Sequence, residues 1–325
     1  MSSVVVDELL ASIAPDLVEF ERRLEESVTA DFGPMADAME HIVRAGGKRL
    51  RPALVLLSSG LGDADRNHAF SLAMGVEFIH TATLVHDDLI DNARTRRGIT
   101  TVHESVGINP AIIIGDYYFA KGANLLASIG EPSIDLAISN TVMTICMGEL
   151  LQLTSHRDYD QTLEEYHRKI ARKTAALVET CCYCGAVVAH LDEVHTEALR
   201  QYGFLIGMAF QIADDVLDYT ATADQIGKPV GADLRQGTVT LPLMLALREP
   251  AVGAALSEVL QRDPLTDRDC DEVVRLVRSS GAIAAAEAQA HDFAARARAQ
   301  LDVFEPSDAR VTLERVCEYV VERTS

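Results

Sequence analysis

Two groups of acidic residues, about 130 residues apart, each close an apolar stretch of the chain. The first group is Asp87, Asp88 and Asp91, and the second is Asp214, Asp215 and Asp218. In a helix, the first and last aspartate of each group share a face, because residues four apart lie above one another. Mg²⁺ is typically held by one or two carboxylates together with substrate phosphates. The spacing therefore suits a metal ion that bridges protein and phosphate.

Arginine residues follow the first acidic group, at Arg94, Arg96 and Arg97. Their planar guanidinium groups match the oxygens of a phosphate. A single acidic helix end of this kind is more simply a solvated surface feature. Two of them, each ending an apolar helix and each followed by cations, instead predict one cavity that binds a magnesium diphosphate, since buried aspartates are costly unless paired or metal-bound.

A second basic stretch, AGGKRLRP, occupies positions 45–52. Its two glycines let the backbone approach a ligand closely, and Pro52 is compatible with the first turn of a helix. Lys48 and Arg51 are three residues apart and could converge on one phosphate. An ordinary basic turn is the alternative interpretation.

Two isolated side chains and one loop could also take part in binding or catalysis. His80 lies seven residues before Asp87, on the same helix face, as either a ligand or a packed core residue. Lys173 stands among apolar residues, where it either snorkels to solvent or, as we favour, reaches into a polar cavity. The loop Thr220–Gly237, which contains Gly227-Lys228-Pro229 and Asp233, is predicted to be an ordered flap rather than a helix because of its glycines and proline.

The composition restricts the class of partner and the compartment. The 325 residues carry a net charge of −20, whereas nucleic-acid binding requires basic stripes. The short basic clusters suit a small polyanion better. The first ten residues lack the basic region of a signal peptide. No run of membrane-spanning length is free of Glu, His or Gln, so we expect a cytosolic protein.

Apolar residues with helical spacing fill most of the chain and predict an all-α, single-domain bundle over residues 1–325. The predicted helices cover 4–28, 35–44, 52–59, 67–91, 110–129, 134–154, 162–190 and 203–218, with helical material over 251–325. Residues 98–109 are expected to form a connecting segment, and 251–325 to carry no chemistry. Cys181, Cys182 and Cys184 are expected to be buried thiols, because no second ligand pair has zinc spacing.

In their order along the chain, these motifs resemble those of the trans-isoprenyl diphosphate synthases, the polyprenyl synthetase family. The resemblance covers about residues 46–245 through GGKRLRP, HDDLIDNARTRRG, KT, FQIADDVLDY and GKPVGADLRQGTVTLP. It implies an all-α bundle with a deep central cavity, usually a homodimer, that condenses isopentenyl diphosphate with an allylic diphosphate. It also implies about three Mg²⁺ ions per active site and a product that is handed to membrane enzymes.

The resemblance also implies a role for each motif residue. Metal ligands are matched by Asp87, Asp91 and Asp214, with Asp88, Asp215 and Asp218 in support. Groups around the allylic diphosphate are matched by Arg96, Lys173, Gln211 and Lys228. Residues facing the carbocation are matched by Thr174, Phe210 and Gln211. The isopentenyl diphosphate site is matched by Lys48, Arg51, His80 and Arg97.

One position departs from the family pattern. Thr238 stands where many relatives carry lysine, which removes one cation for the diphosphate without indicating loss of activity.

Family members with short products carry bulky aromatics four or five residues before the first aspartate. Such aromatics form the floor of the cavity in which the product grows. Here these positions hold the small residues Ala82 and Thr83, so that floor is absent. The next candidates are Ile79, Phe78 and Gly75, with Met143 and Met147 from the facing helix, and we expect a product of C30 or longer.

Several alternatives stay open. The chain could be a short-chain synthase with a C15 or C20 product, or the catalytic subunit of a heteromeric synthase. A class I terpene cyclase is less favoured, because it needs no second diphosphate pocket such as GGKRLRP and His80 would form. A non-catalytic subunit would be expected to lose its aspartate groups, and both are intact.

Overall fold

The computed structural model describes residues 8–29, 47–96, 98–221 and 230–322, and nearly all of its regular structure is helical. Its α-helices are α1 (Ala14–Thr29), α2 (Leu50–Ser59), α3 (Arg66–Ile90), α4 (Val102–Val106), α5 (Ile108–Ala127), α6 (Pro132–Thr154), α7 (Leu163–Ile170), α8 (Ala176–Val188), α9 (Glu193–Thr220), α10 (Ala232–Arg235), α11 (Leu241–Leu247), α12 (Gly253–Leu260), α13 (Asp267–Arg278), α14 (Ala282–Gln300) and α15 (Asp308–Glu322). A π-helical turn, Ala171–Ala175, joins α7 to α8, and 3₁₀ turns cover Ala11–Ile13 and Leu301–Val303. The all-α prediction is confirmed.

The helices predicted over 52–59, 67–91, 110–129 and 134–154 agree with the observed ones within two residues, whereas α9 begins ten residues before the predicted start at 203. The prediction of a loop without helix over 220–237 was wrong at its end, because α10 lies there. The predicted helix over 162–190 is interrupted by the π turn. The prediction that 98–109 only connects was wrong, because strand β2 (Ile99–Thr100) pairs antiparallel with β1 (Thr95–Arg96) and α4 follows. Pro15 is the second residue of α1, where its missing N–H is tolerated. The helix predicted over 35–44 lies outside the described residues.

The two helices with aspartate groups form the centre of the bundle. α3 packs along α5, and α9 lies between α8 and α14. Each begins with an aspartate cap, Asp65 accepting from the Asn67 and His68 N–H groups and Asp192 from that of His195. Such caps satisfy the donors that a helix start leaves unpaired. The caps therefore define where α3 and α9 begin.

The predicted buried thiols are confirmed. Cys181, Cys182 and Cys184 are free and buried on α8. Burial raises the pKa of the Cys181 thiol to about 12, so it is neutral at physiological pH. These residues are small core side chains.

Helix α6 is long and apolar enough to cross a membrane by length and composition alone, and 28% of its most apolar 18-residue window is buried. Packed helices of soluble proteins pass the same test. Here its buried residues Ile134, Ile138, Thr141 and Gly148 lie in the bundle, where α6 packs against α8 and the π turn. The other side of α6 is exposed in the single chain.

Two glycines clamp the π turn from opposite sides. A Cβ atom on Gly148 of α6 would lie 2.7 Å from the Lys173 backbone nitrogen. A Cβ atom on Gly207 of α9 would lie 2.5 Å from Ala175 Cα. Real Cβ atoms do not approach backbone this closely. The two glycines therefore let three chain segments meet around Lys173 and Thr174, and π turns of this kind often occur at functional sites.

We expect Gly207→Ala to lower the free energy of unfolding by about 1–3 kcal/mol, because the added methyl group overpacks a rigid backbone contact. Urea denaturation measures this. Gly60→Ala is the control, since that Cβ atom would lie 3.3 Å from its nearest neighbour, Leu56 O, and we expect a change within about 1 kcal/mol. Equal stability of the Gly207→Ala variant and the parent chain would contradict the clamp.

Candidate active site

The first acidic group lies on the last turn of α3. Asp87 is half-buried, and Asp91 is exposed at the C-cap, where its N–H donates to the Asp87 carbonyl at 2.8 Å. Burial raises the pKa of Asp87 to about 6; Glu149 and Asp91 add to the shift, while Lys173 and Arg96 oppose it. The carboxylate of Asp87 is thus short of positive charge, which a bound cation would supply.

Asp88 is oriented differently from its two neighbours. Its side chain is buried, and its Oδ1 accepts from Arg96 Nε of strand β1 at 2.7 Å. The hairpin therefore returns Arg96 to the acidic helix end. The structure brings Arg96 to the first acidic group, as predicted, and pairs Asp88 with this arginine. Arg97 lies outside the described residues.

Lys173 reaches the acidic region and has two partners that the sequence analysis missed. Its Nζ lies 2.6 Å from Glu149 Oε2 and donates to Gln152 Oε1 at 3.1 Å. Glu149 and Gln152 are three apart on α6 and therefore share a face. A polar pair at this spacing inside an apolar helix was the signal that could have revealed them. The prediction that Lys173 reaches a polar cavity rather than solvent agrees with these contacts.

The second acidic group contains a buried hydrogen-bond chain centred on Asp215. Asp215 accepts from the Tyr166 hydroxyl at 2.6 Å and from Gln211 Nε2 at 2.8 Å. The Thr174 hydroxyl donates to Gln211 Oε1 at 2.6 Å. Burial raises the pKa of Asp215 to about 7, with Asp233 and Asp214 adding and the two donors opposing. Asp215 thus orients Gln211 and Thr174, and Tyr166 was missed because its position on α7 carries no motif.

Asp218 anchors the chain that follows the second acidic helix. Its carboxylate accepts the N–H groups of Ala232 and Asp233 at 3.0 and 3.2 Å. The short helix α10 therefore begins at a fixed distance from the end of α9. Asp218, proposed as a metal ligand, has this backbone role in the structure. Lys228 lies outside the described residues.

Residues 251–325, where no chemistry was expected, support the second acidic group. Arg278 of α13 donates to the carbonyls of Tyr219 and Ala221 at the end of α9. Arg235 of α10 donates to Asp271 of α13 at 2.5 Å. The C-terminal helices therefore hold the acidic end of α9 and the start of α10.

One short segment lies between the two acidic groups. Tyr166 and Lys169 act on Asp215, the first through its hydroxyl and the second through its charge. Lys173, four residues further, acts on Asp87. Residues of α7 and the π turn thus interact with both acidic groups, Tyr166 by a hydrogen bond to Asp215 and Lys173 by its charge near Asp87. The structure therefore brings the two predicted acidic clusters to one site.

The predicted second phosphate pocket lies at the start of α2. Arg51 Nη1 donates to His80 Nε2 of α3 at 3.0 Å, so the two predicted binding residues are adjacent. Burial lowers the pKa of Arg51, while Asp214 and Glu77 are close enough to oppose that effect. Lys48 is exposed, with Nζ 5.5 Å from the ring centre of Tyr319 on α15. The pocket residues thus come from the start of α2 and from α3, the helix that ends in the first acidic group.

Within residues 8–29, 47–96, 98–221 and 230–322, no three Asp, Glu, His or Cys side chains converge as a metal cage. Asp87 and Asp91 instead offer carboxylate oxygens on adjacent turns of one helix. Such a partial donor set fits Mg²⁺, which keeps waters and takes its remaining ligands from substrate phosphates. It does not fit a structural zinc ion, which needs four protein ligands.

The predicted chain-length residues divide between two environments. Ala82, Phe78 and Ile79 are fully buried, and Phe78 stacks on Tyr118 of α5 at 5.5 Å between ring centres. Thr83 is half-buried, one turn before Asp87.

The placement of Met143 and Met147 opposite these residues was wrong, because they are 60% and 50% exposed on the far side of α6. The helical repeat instead puts Val142 and Ile145 on the face of Glu149.

Comparison with known proteins gives consistent matches over nearly the whole chain. The family model Polyprenyl synthetase matches residues 34–277. The chain is 37% identical over 308 residues to heptaprenyl diphosphate synthase component 2 of Bacillus subtilis (strain 168), covering 95% of this chain and 88% of that protein.

Two solved structures have the same fold. The polyprenyl synthase from Caulobacter crescentus CB15, complexed with calcium and isoprenyl diphosphate, has a TM-score of 0.92 at 35% identity, with 98% of each chain covered. The heptaprenyl diphosphate synthase from Staphylococcus aureus has a TM-score of 0.91 at 32% identity, with 96% of this chain and 99% of that chain covered.

Proposed function

We propose, starting from the fact that this chain belongs to the polyprenyl synthetase family and is a trans-prenyltransferase, that it is a Mg²⁺-dependent, cytoplasmic synthase of long all-trans polyprenyl diphosphates. It joins isopentenyl diphosphate to an allylic diphosphate in successive steps. The observation that carries the proposal is the segment Tyr166–Thr174, which contacts or faces both acidic groups. With Mg²⁺ bound to its carboxylates, such a site would hold a polyanion between the two acidic groups.

The allylic diphosphate binds between α3 and α9 in this proposal. Asp87, Asp91 and Asp214 would hold Mg²⁺, which would neutralise the charge that develops on the departing diphosphate. Arg96 and Lys173 donate to its oxygens, and Lys228 is proposed for the same role. The allylic C–O bond breaks, leaving a carbocation and a diphosphate.

The chain's own polar groups then face the carbocation. Thr174 donates its hydroxyl hydrogen to Gln211, which leaves the lone pairs of its oxygen available. The ring of Phe210 also offers negative potential. The double bond of isopentenyl diphosphate attacks the cation, a C–C bond forms, and the lost proton passes to the departing diphosphate. The apolar walls exclude water that would otherwise capture the cation.

Isopentenyl diphosphate binds at the second pocket, through Lys48, Arg51 and Arg97. His80 accepts a hydrogen bond from Arg51 and therefore orients this guanidinium group. A terpene cyclase has one diphosphate to bind and no use for this pocket. The second pocket thus favours chain elongation over cyclisation.

We expect Asp87→Ala and Asp214→Ala each to lower turnover by at least about 100-fold, because each removes charge stabilisation of the leaving group. The measurement is incorporation of labelled isopentenyl diphosphate with Mg²⁺ and C10, C15 or C20 primers, with products resolved by length. Asp302→Ala, an exposed aspartate paired with Arg310, is the control with normal turnover. Near-normal turnover of both site variants would refute the metal assignment.

The proposed product is C30 or longer because the wall before Asp87 is made of small side chains. Ala82 is completely buried, so the site at which a bulky residue would close the cavity holds only a methyl group. The names of similar proteins support long products, since they include heptaprenyl and solanesyl diphosphate synthases. A short chain isoprenyl diphosphate synthase, 34% identical, is also among them and represents the competing possibility.

We expect Ala82→Tyr to shorten the main product by at least one isoprene unit, because the phenol ring would block the growing chain. Thr83→Phe, at a half-buried position of the same turn, tests the same wall where the fold has more room. Ala82→Ser is the control and should keep the parent product. Product lengths are compared by chromatography. An unchanged length in both bulky variants would refute the prediction that the small side chains at positions 82 and 83 permit a long product.

We further propose a homodimer built on the exposed face of α5 and α6. Eight of the thirteen large hydrophobic side chains exposed among the described residues lie on these two helices: Ile108, Ile112, Ile113, Leu136, Met143, Met147, Leu150 and Leu153. On α6, Leu136, Met143 and Leu150 repeat every seven residues, the spacing of a helix-pairing seam. Contiguous apolar patches of this kind mark protein interfaces.

A second copy of this chain is the occupant we propose for that face. A self-pairing helix seam suits a two-fold axis, at which the same patch meets itself. The relative named heptaprenyl diphosphate synthase component 2 makes a different partner subunit the alternative.

We expect the parent chain alone to elute as a dimer in size-exclusion chromatography with light scattering. Met143→Glu combined with Leu150→Glu should convert it to a monomer, because the seam would bury charge. Val311→Glu, at an equally exposed position outside the face, should stay dimeric. A monomeric parent chain that elongates only with an added partner subunit would overturn the homodimer.

A further inference from the structure

Arg49, between the two pocket residues Lys48 and Arg51, has an uncommon backbone conformation. It is the N-cap of α2 with φ 46° and ψ 31°, in the left-handed region that residues with a Cβ atom rarely adopt. Its side chain is mostly buried, with 11% of its surface exposed. A non-glycine residue keeps such a conformation only when its surroundings hold it.

Two carboxylates from two other helices hold the Arg49 side chain. Arg49 Nη1 donates to Glu77 Oε1 of α3 at 2.5 Å. Arg49 Nε and Nη2 donate to the two oxygens of Glu21 of α1 at 2.6 and 3.1 Å. The Glu77 side chain is 9% exposed, whereas that of Glu21 is 40% exposed. The contact with Glu77 is therefore the buried one.

The pair joins the elements that carry the two substrate sites. Glu77 lies three residues before His80 and ten before Asp87 on α3. Arg49 and Arg51, two residues apart, thus bind Glu77 and His80, three residues apart. Two parallel polar ties hold the start of α2 on α3, and they set the position of Lys48 and Arg51 relative to Asp87.

We propose that Arg49 is a positioning residue for the isopentenyl diphosphate pocket, held in its left-handed conformation by the buried carboxylate of Glu77. This inference rests on the proposed function, since it assumes that Lys48 and Arg51 bind isopentenyl diphosphate. Arg49 acts through its neighbours and needs no contact with substrate. When the tie to Glu77 is lost, the turn at Arg49 relaxes, and Lys48 and Arg51 shift relative to the diphosphate that they are proposed to bind.

The test compares Glu77→Gln with Glu21→Gln, which remove charge from the two partners of the same arginine at nearly equal distances. Steady-state kinetics of the full-length chain give KM for isopentenyl diphosphate, KM for the allylic primer, and kcat. We expect Glu77→Gln to raise KM for isopentenyl diphosphate about tenfold, as for loss of one charge-assisted hydrogen bond. KM for the primer and kcat should stay within about twofold. The exposed pair makes a smaller contribution, so Glu21→Gln should change all three by less than about threefold.

Two further variants separate positioning from a loss of stability. Arg310→Gln removes an arginine of similar burial, paired with Glu314 at 3.0 Å, and should lower Tm without changing KM for isopentenyl diphosphate. Glu77→Asp keeps the charge and should restore part of the lost affinity. Equal KM values for Glu77→Gln and the parent chain, or a parallel rise of both KM values, would overturn the inference.

Failure of the proposed function gives a different result. If the parent chain incorporates no isopentenyl diphosphate, alone or with an added partner subunit, the proposed function is wrong. If the parent is active and Lys48→Ala raises KM for isopentenyl diphosphate while Glu77→Gln does not, the pocket is right and the positioning role is wrong.

Discussion

The rest of the structure depends on one constraint. The negative charge at the ends of the two central helices, α3 and α9, must be compensated. Burial raises the pKa of Asp87 to about 6 and that of Asp215 to about 7. The segment Tyr166–Thr174 carries hydroxyl and ammonium groups to both places. A regular helix would not present these groups in the same directions, and the π turn is kept by glycines on two neighbouring helices. Packing around Gly148 and Gly207 is therefore a condition of the electrostatics.

The two acidic groups share a sequence pattern but differ in environment, and environment separates their roles. Both oxygens of Asp215 accept hydrogen bonds from protein groups, as do both oxygens of Asp218. These residues fix Gln211 and the start of α10. Asp87 instead faces Glu149 and Asp91, whose charges oppose its ionisation. Asp87 therefore has an unfavourable charge environment that a bound cation would relieve, whereas Asp215 and Asp218 are held rigidly by hydrogen bonds.

In the proposed function, two diphosphates bind near each other without competing for the same cations. The fold separates them by giving each pocket its own support. Lys173 is held by α6 through Glu149 and Gln152, while Arg49 and Arg51 are tied to α3 through Glu77 and His80. The helix that ends in the first acidic group thus also carries the supports of the second pocket. Its outer neighbour α5 and the adjacent α6 present the apolar face at which we place a second copy.

The sequence by itself determined the helical class, the two aspartate motifs and the basic residues, because helical periodicity and charge spacing are local properties. It also indicated that Lys173 reaches a polar site. Only the tertiary structure decided that Asp88 pairs with Arg96, that Asp215 is held by Tyr166, and that Met143 lies on an outer face. It also decided that Glu149 and Arg278, on helices without a recognised motif, support the site. These contacts join residues far apart in the chain, and their partners depend on how helices pack rather than on any local pattern.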